Sequence, residues 1–320
     1  MLEKIKEKIT VKKEPDYKKL YYRTQFEAII IIFIFILFLY FNFNYLLFKV
    51  IMSQNYIYTD SLDKVFSDCL DTDIKGNYFK EFDNVAIKLF TEKLTDINGD
   101  IYTKLYTPSQ YTNYEETLQN DAAECEIHQI GETTYLHLTN FSPYSLSFVN
   151  ENEDKLKNTK NLIIDLSDNG GGELPICCDL ADRFLPKDSI IYEEVGRNFF
   201  FSSLNKAKTD ISYNYDNICI VQNEYTASAS EVFINALKEN LDNVTVIGTK
   251  SYGKGIEQAT YDLTNGYAFK LTTASLKTPH GNSIHKKGII PDIYYSGENA
   301  EEFITQNINA TSKGANTYVY

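Results

Sequence analysis

Tryptophan is absent from this 320-residue chain, and cysteine (5), histidine (4) and proline (7) are sparse. Five cysteines are too few for a disulfide scaffold, and Cys69, Cys125, Cys177, Cys178 and Cys219 contain no Cys-x-x-Cys pair. His128, His137, His280 and His285 do not fall at zinc-ligand spacing, so no metal site is expected. The glycine-rich stretch is neither G-x-G-x-x-G nor a P-loop, and no cofactor is expected. A G-x-S-x-G elbow is missing as well. No basic run follows residue 26, and the net charge is -13. Both features argue against nucleic acid as a partner, because lysine and arginine must replace the counterions on phosphates. There are no internal repeats and no low-complexity linker.

What is present is an ordinary globular balance, 43% hydrophobic and 23% charged, preceded by one long apolar run. Residues 28–48 read AIIIIFIFILFLYFNFNYLLF and carry no charge. At about 1.5 Å per residue a helix of this length just crosses a hydrocarbon core of roughly 30 Å. Core helices seldom run so far without a charge, so a transmembrane helix is expected. Residues 1–27 form a basic segment with eight Lys/Arg, and after Lys49 none occurs before Lys64. The positive-inside rule then puts the N-terminus in the cytoplasm and the residues from about Met52 onward outside, on a single-pass cell-membrane protein. MSQNYIYTD offers no A-x-A-like site, so an uncleaved anchor is expected rather than a signal peptide. The first 27 residues are net positive, which makes the remainder strongly acidic.

Residues 53–120 are expected to form a small helical region, with apolar residues at three- and four-residue steps in DSLDKVFSDCL and YFKEFDNVAIKLFTEKL. Asn98-Gly99 and Pro108 punctuate DINGDIYTKLYTPSQY as turns. Residues 121–320 alternate short strands (CEIHQIG, TTYLHLTNF, NLIIDLS, NICIVQN, VTVIGT, YAFKLTTAS) with helical stretches (VNENEDKLKNT, LPICCDLADRFL, ASEVFINALKEN). That alternation predicts an α/β domain around a largely buried sheet. Cys177, Cys178 and Cys219 are expected to serve as apolar packing.

Three segments follow predicted strands, where α/β folds place their sites. NLIIDLSDNGGGELP ends a buried strand on Gly170-Gly171-Gly172, a turn that can expose backbone N–H groups or simply be tight. NICIVQNEYTASASEVFINALKEN carries Ser228 and Ser230 on a turn of small residues. Either serine can be an N-cap, or a hydroxyl presented at a helix N-terminus where negative charge is favoured. VTVIGTKSYGKGIEQ carries Lys254 between glycines, a solvated loop lysine or a base. With no histidine in a recognisable Ser-His setting, a serine hydrolase here needs a Ser-Lys pair, the lysine made neutral by burial.

Together these segments resemble the C-terminal processing (tail-specific) peptidases, serine peptidases with a Ser-Lys catalytic pair. A fourth stretch, TPHGNSIHKKGIIPDI, is similar to the family's Thr-Pro-x-Gly…Gly-Ile-x-Pro-Asp segment, and the order agrees over residues 125–293. The resemblance implies a crotonase/ClpP-like ββα peptidase core and hydrolysis of peptide bonds near protein C-termini. It implies Ser228 as nucleophile, Lys254 as general base and Gln258 as the residue orienting the lysine. The backbone N–H groups of Ala229 and Gly171, or Gly172, are implied as the oxyanion hole. The implied partner is a protein or peptide with a free C-terminal tail, with a homo-oligomer or an activating partner left open. Ser167 and Gly170 depart from the family's usual Arg and Pro. The few residues between Tyr111 and Cys125 leave no room for the peptide-binding PDZ domain that many relatives insert. A catalytically silent peptide- or ligand-binding protein on the same fold is the alternative.

Overall fold

The structure is a computed structural model and describes residues 16–58, 82–119, 124–197, 199–210, 213–263, 266–297 and 300–311. Within them the chain builds two sheets. The first is six-stranded, in the order β11 (Ile293–Tyr294), β8 (Val244–Gly248), β7 (Asn217–Gln222), β4 (Asn161–Asp165), β3 (Thr133–Leu138), β2 (Cys125–Ile130). All its pairings are parallel except the β2–β3 hairpin. Its central strands are buried on both faces, as parallel strands covered by helices must be: Leu162, Ile163 and Ile164 are fully enclosed. One face packs on α6 (Leu174–Ala181) and α7 (Ala229–Asn240) through Ile164, Cys177, Phe233 and Leu237. The other face packs on α8 (Ala300–Thr311) through Ile163, Cys219, Ile247 and Ile304. Among the described residues Cys125, Cys177, Cys178 and Cys219 are free thiols.

The second sheet runs β1 (Lys104–Tyr106), β10 (Ala268–Lys277), β5 (Ile190–Gly196), β6 (Ser203–Lys206), with β9 (Ile256–Asp262) on the other edge of β10. β1 belongs to the stretch expected to be helices and turns. It pairs antiparallel with residues 268–270, so the N-terminal region contributes a strand to the main body. Pro108 is not a turn residue but the first residue of α3 (Pro108–Gln119), where its missing N–H costs nothing. The single helix expected around 149–159 is two, α4 (Pro143–Glu151) and α5 (Glu153–Lys157), separated at Asn152. α4 begins early because Ser142 caps it and Pro143 follows.

α1 (Tyr17–Asn55) contains the apolar run and is long and apolar enough to cross a membrane, and its most apolar stretch is not buried against the rest of the chain. Its last turns behave differently. Phe48, Met52 and Tyr56 are buried against Ile87, Phe90 and Leu94 of α2 (Phe82–Asn98) and Phe269 and Leu271 of β10. Phe48 and Phe269 meet edge to face at 5.3 Å. The helix therefore plugs into the second sheet. The DSLDKVFSDCL segment lies outside the described residues.

Candidate active site

Three loops leave the carboxyl ends of β4, β7 and β8, the usual position for a site on such a sheet. Side chains bolt them together. Thr226 Oγ1 donates to Leu166 O at 2.7 Å, and Ala227 N–H to Asn169 O at 3.0 Å. Ser230 Oγ donates to the fully buried Asn169, with Oδ1 at 2.7 Å, so this serine ties the helix to the glycine loop. Tyr252 N–H donates to Thr226 O at 3.0 Å.

Ser228 ends the β7 loop at φ 60°, ψ −118°, immediately before α7. A residue with a Cβ in this region is strained by about 1–3 kcal/mol, and such strain persists only where the surroundings impose it. Glu231, wholly buried one turn into α7, imposes it. Its Oε2 accepts from Ser228 N–H (3.0 Å) and Lys254 N–H (2.8 Å). Its Oε1 accepts from Gly253 N–H (2.7 Å) and Ser251 Oγ (2.6 Å). One carboxylate thus holds the serine turn and the lysine loop in fixed relation. Burial pushes the Glu231 carboxyl above its ordinary range, and the four donors oppose that by favouring the anion. Replacing Glu231 by glutamine turns an N–H₂ toward donors that need an acceptor. The expected cost is about 1–3 kcal/mol for each donor left unpaired, measured as a lower denaturation midpoint with a parallel loss of activity.

Ser228 and Lys254 both line a cavity of about 750 Å³, together with Gly171 and Gly172. The Lys254 ammonium lies 5.2 Å from the centroid of the Tyr102 ring. Buried Asp100 sets that ring: it accepts from Tyr102 N–H (3.2 Å), Thr103 Oγ1 (2.7 Å) and Thr272 Oγ1 (3.0 Å). Burial lowers the Lys254 pKa below the ordinary ammonium range. The cation of Lys270, which lines the same cavity, lowers it further, while Glu231 works in the opposite direction.

The glycine loop fits against the serine. Gly171 adopts φ 110°, and a Cβ there would meet Ser228 Cβ and Ala227 O at 2.8 Å. Its N–H is already bonded to Asn169 Oδ1 at 2.9 Å. The N–H groups of Gly172 and Ala229 have no acceptor among the described residues, and α7 adds its N-terminal dipole at Ala229. Of the three amides expected to receive an oxyanion, the structure leaves Gly172 and Ala229 open and has Gly171 engaged. Gly171→Ala is expected to push the loop off Ser228. Activity should fall by roughly 100-fold or more, the loss that follows removal of an oxyanion donor, with initial rates as the measurement.

Gln258 is not brought into this cavity. It lies on β9 opposite Thr272, and its amide rests on Ile256 O at 3.4 Å. Nothing in the local pattern marks Tyr102, Asp100 or Lys270 as neighbours of Lys254. The one local signal was Asp100 followed by Thr103, a pairing of residues that cap their own turn.

A half-buried lysine and a strained serine open on one cavity beside unpaired amides, a candidate serine-type hydrolase site in an α/β fold. The family model for peptidase family S41 matches residues 132–295, and the chain belongs to that family. The "Carboxyl-terminal-processing protease" of Synechocystis is 30% identical over 66% of this chain and 50% of its own length. A "Probable CtpA-like serine protease" of Staphylococcus aureus is 36% identical over 42% of this chain and 27% of its own length. The chain thus spans half or less of these curated relatives. Among solved structures, a photosystem II D1 C-terminal processing protease superposes with a TM-score of 0.65 at 15% identity, covering 88% of this chain and 99% of that one. A lipoprotein from Streptococcus agalactiae gives 0.62 at 18% identity, covering 83% and 95%. At these identities the likeness is one of fold.

Proposed function

We propose that this protein is a membrane-anchored serine endopeptidase that cuts protein or peptide tails near their C-termini, outside the cytoplasm. The observation that carries the reading is the shared cavity: Ser228 held in a strained turn, with Lys254 opening on the same space and depressed toward its neutral form. Ser228 Oγ attacks the scissile carbonyl. Lys254 takes the hydroxyl proton and passes it to the departing amine, which leaves an acyl-serine ester that water hydrolyses with Lys254 again as base. The tetrahedral oxyanion is received by the N–H groups of Ala229 and Gly172, with Gly171 joining once its amide leaves Asn169. Gln258 serves as the orienting residue for Lys254 by turning from Ile256 O.

The anchor reading is supported by the exposed apolar stretch of α1 and by the basic residues before it. Because Phe48 and Met52 belong to the packed body, the sample to test is the full chain in detergent. Unstructured peptides ending in apolar residues are incubated with it at mildly alkaline pH, and products are read by mass spectrometry. Cleavage near the C-terminus is expected. Binding without cleavage would instead identify a silent peptide-binding protein.

A further inference from the structure

We propose that Lys270 anchors the free C-terminal carboxylate of the substrate, so that the site releases short pieces from chain ends. This rests on the peptidase reading and names where its substrate's tail is held. Lys270 lies on β10, opposite Thr260 of β9 on one side and Lys104 of β1 on the other. Strand alternation puts it on the same face as Thr272, the residue opposite Gln258. It lines the cavity that holds Ser228 and Lys254.

Its charge has no counterpart there. Tyr114 of α3 supplies both its contacts: Lys270 Nζ donates to the phenol oxygen at 3.2 Å and lies 5.0 Å from the ring centroid. Among the described residues no carboxylate forms an ion pair with it, whereas Lys157, Lys238 and Lys277 each meet one. An ammonium has three donors, and Tyr114 accepts from one. Two half-buried lysines opening on one cavity repel each other, and an arriving anion relieves both. The acids on the cavity, Glu124, Asp168 and Glu173, come from loops of the six-stranded sheet, while Lys270 comes from the other sheet. The division orients a peptide with its carboxylate toward β10. About 750 Å³ is the size of a pocket for a small-molecule ligand. Ser228 and Lys270 line this one cavity, so only a short stretch of peptide lies between them. The Lys270 contact depends on α3, the helix that fills the chain between β1 and β2.

The test uses the full chain carrying Ser228→Ala in detergent, with two fluorescent peptides of one sequence and apolar tails, one ending in a carboxylate and one in an amide. Anisotropy is expected to show the acid binding roughly tenfold or more tighter than the amide. Adding Lys270→Gln should bring the acid down to the amide's affinity, and Lys270→Arg should keep the preference. Equal binding of the two peptides, binding of neither, or an intact preference in Lys270→Gln overturns the proposal. If Lys270→Gln fails to fold by circular dichroism, the acid–amide comparison with Lys270 and with Lys270→Arg decides. Cleavage by the unsubstituted protein separates the two readings. Ser228-dependent hydrolysis of acid and amide with equal KM removes the anchor and keeps the peptidase. Acid-selective binding without hydrolysis keeps the anchor and removes the peptidase.

Discussion

Ser228→Ala is expected to abolish hydrolysis, by about 10⁴-fold or more in kcat, while leaving the fold unchanged. The first half follows from chemistry, because without Oγ no acyl intermediate forms and Lys254 has no proton to accept. The second half follows from the contacts of Ser228. Its structural bond to Glu231 uses the backbone N–H, which alanine retains. Alanine has a Cβ like serine and bears the same strain at φ 60°, so the denaturation midpoint should stay within about 0.5 kcal/mol of the parent. Glycine removes the penalty. Ser228→Gly should therefore be as inactive as Ser228→Ala but more stable by about 1 kcal/mol. An alanine variant that unfolds, or a glycine variant less stable than it, would contradict the claim that the turn is held in strain.

The second large effect is on pH. Lys254 must be neutral to accept a proton, and burial together with the Lys270 charge lowers its pKa. The neutral form is lost as pH falls through that lowered value, so kcat/KM should drop on the acid side and level off above it. Lys254→Arg keeps the charge and nearly the size but cannot deprotonate, and should be inactive at every pH by about 10³-fold or more. Lys270→Gln removes one of the two influences that lower Lys254. Its acid limb should shift to higher pH, since desolvation alone then holds the pKa down.

Much of this was legible in the sequence where local pattern and tertiary structure agree. The runs NLIID, NICIVQ and VTVIG became β4, β7 and β8 because each is an apolar stretch ended by turn residues. ASEVFINALKEN became α7 without a shift. The second sheet was harder to read. β5, β6 and β9 carry glutamates, serines and half-exposed positions, and nothing local separates IEQATYD from a loop. β1 is only three residues long and exists because β10 offers it a partner. The site divides in the same way. Ser228, Lys254 and the glycines follow strands and form a recognisable order. Glu231 reads as an ordinary acid in the first turn of a helix, and only folding brings Ser251, Gly253 and Lys254 to it. Tyr102 reaches Lys254, and Lys270 reaches the cavity, from distant segments, with no local sign of it. Gln258 followed from the resemblance, and in this conformation its amide rests on Ile256 O instead of entering the cavity.

The most direct measurement is the initial rate of peptide hydrolysis by the full-length protein from about pH 6 to about pH 10, beside Ser228→Ala and Lys254→Arg. The expected result is a rate that rises with pH to a plateau in the parent and no hydrolysis in either variant. Hydrolysis that persists in Ser228→Ala, or in Lys254→Arg with the parent's profile, would contradict it.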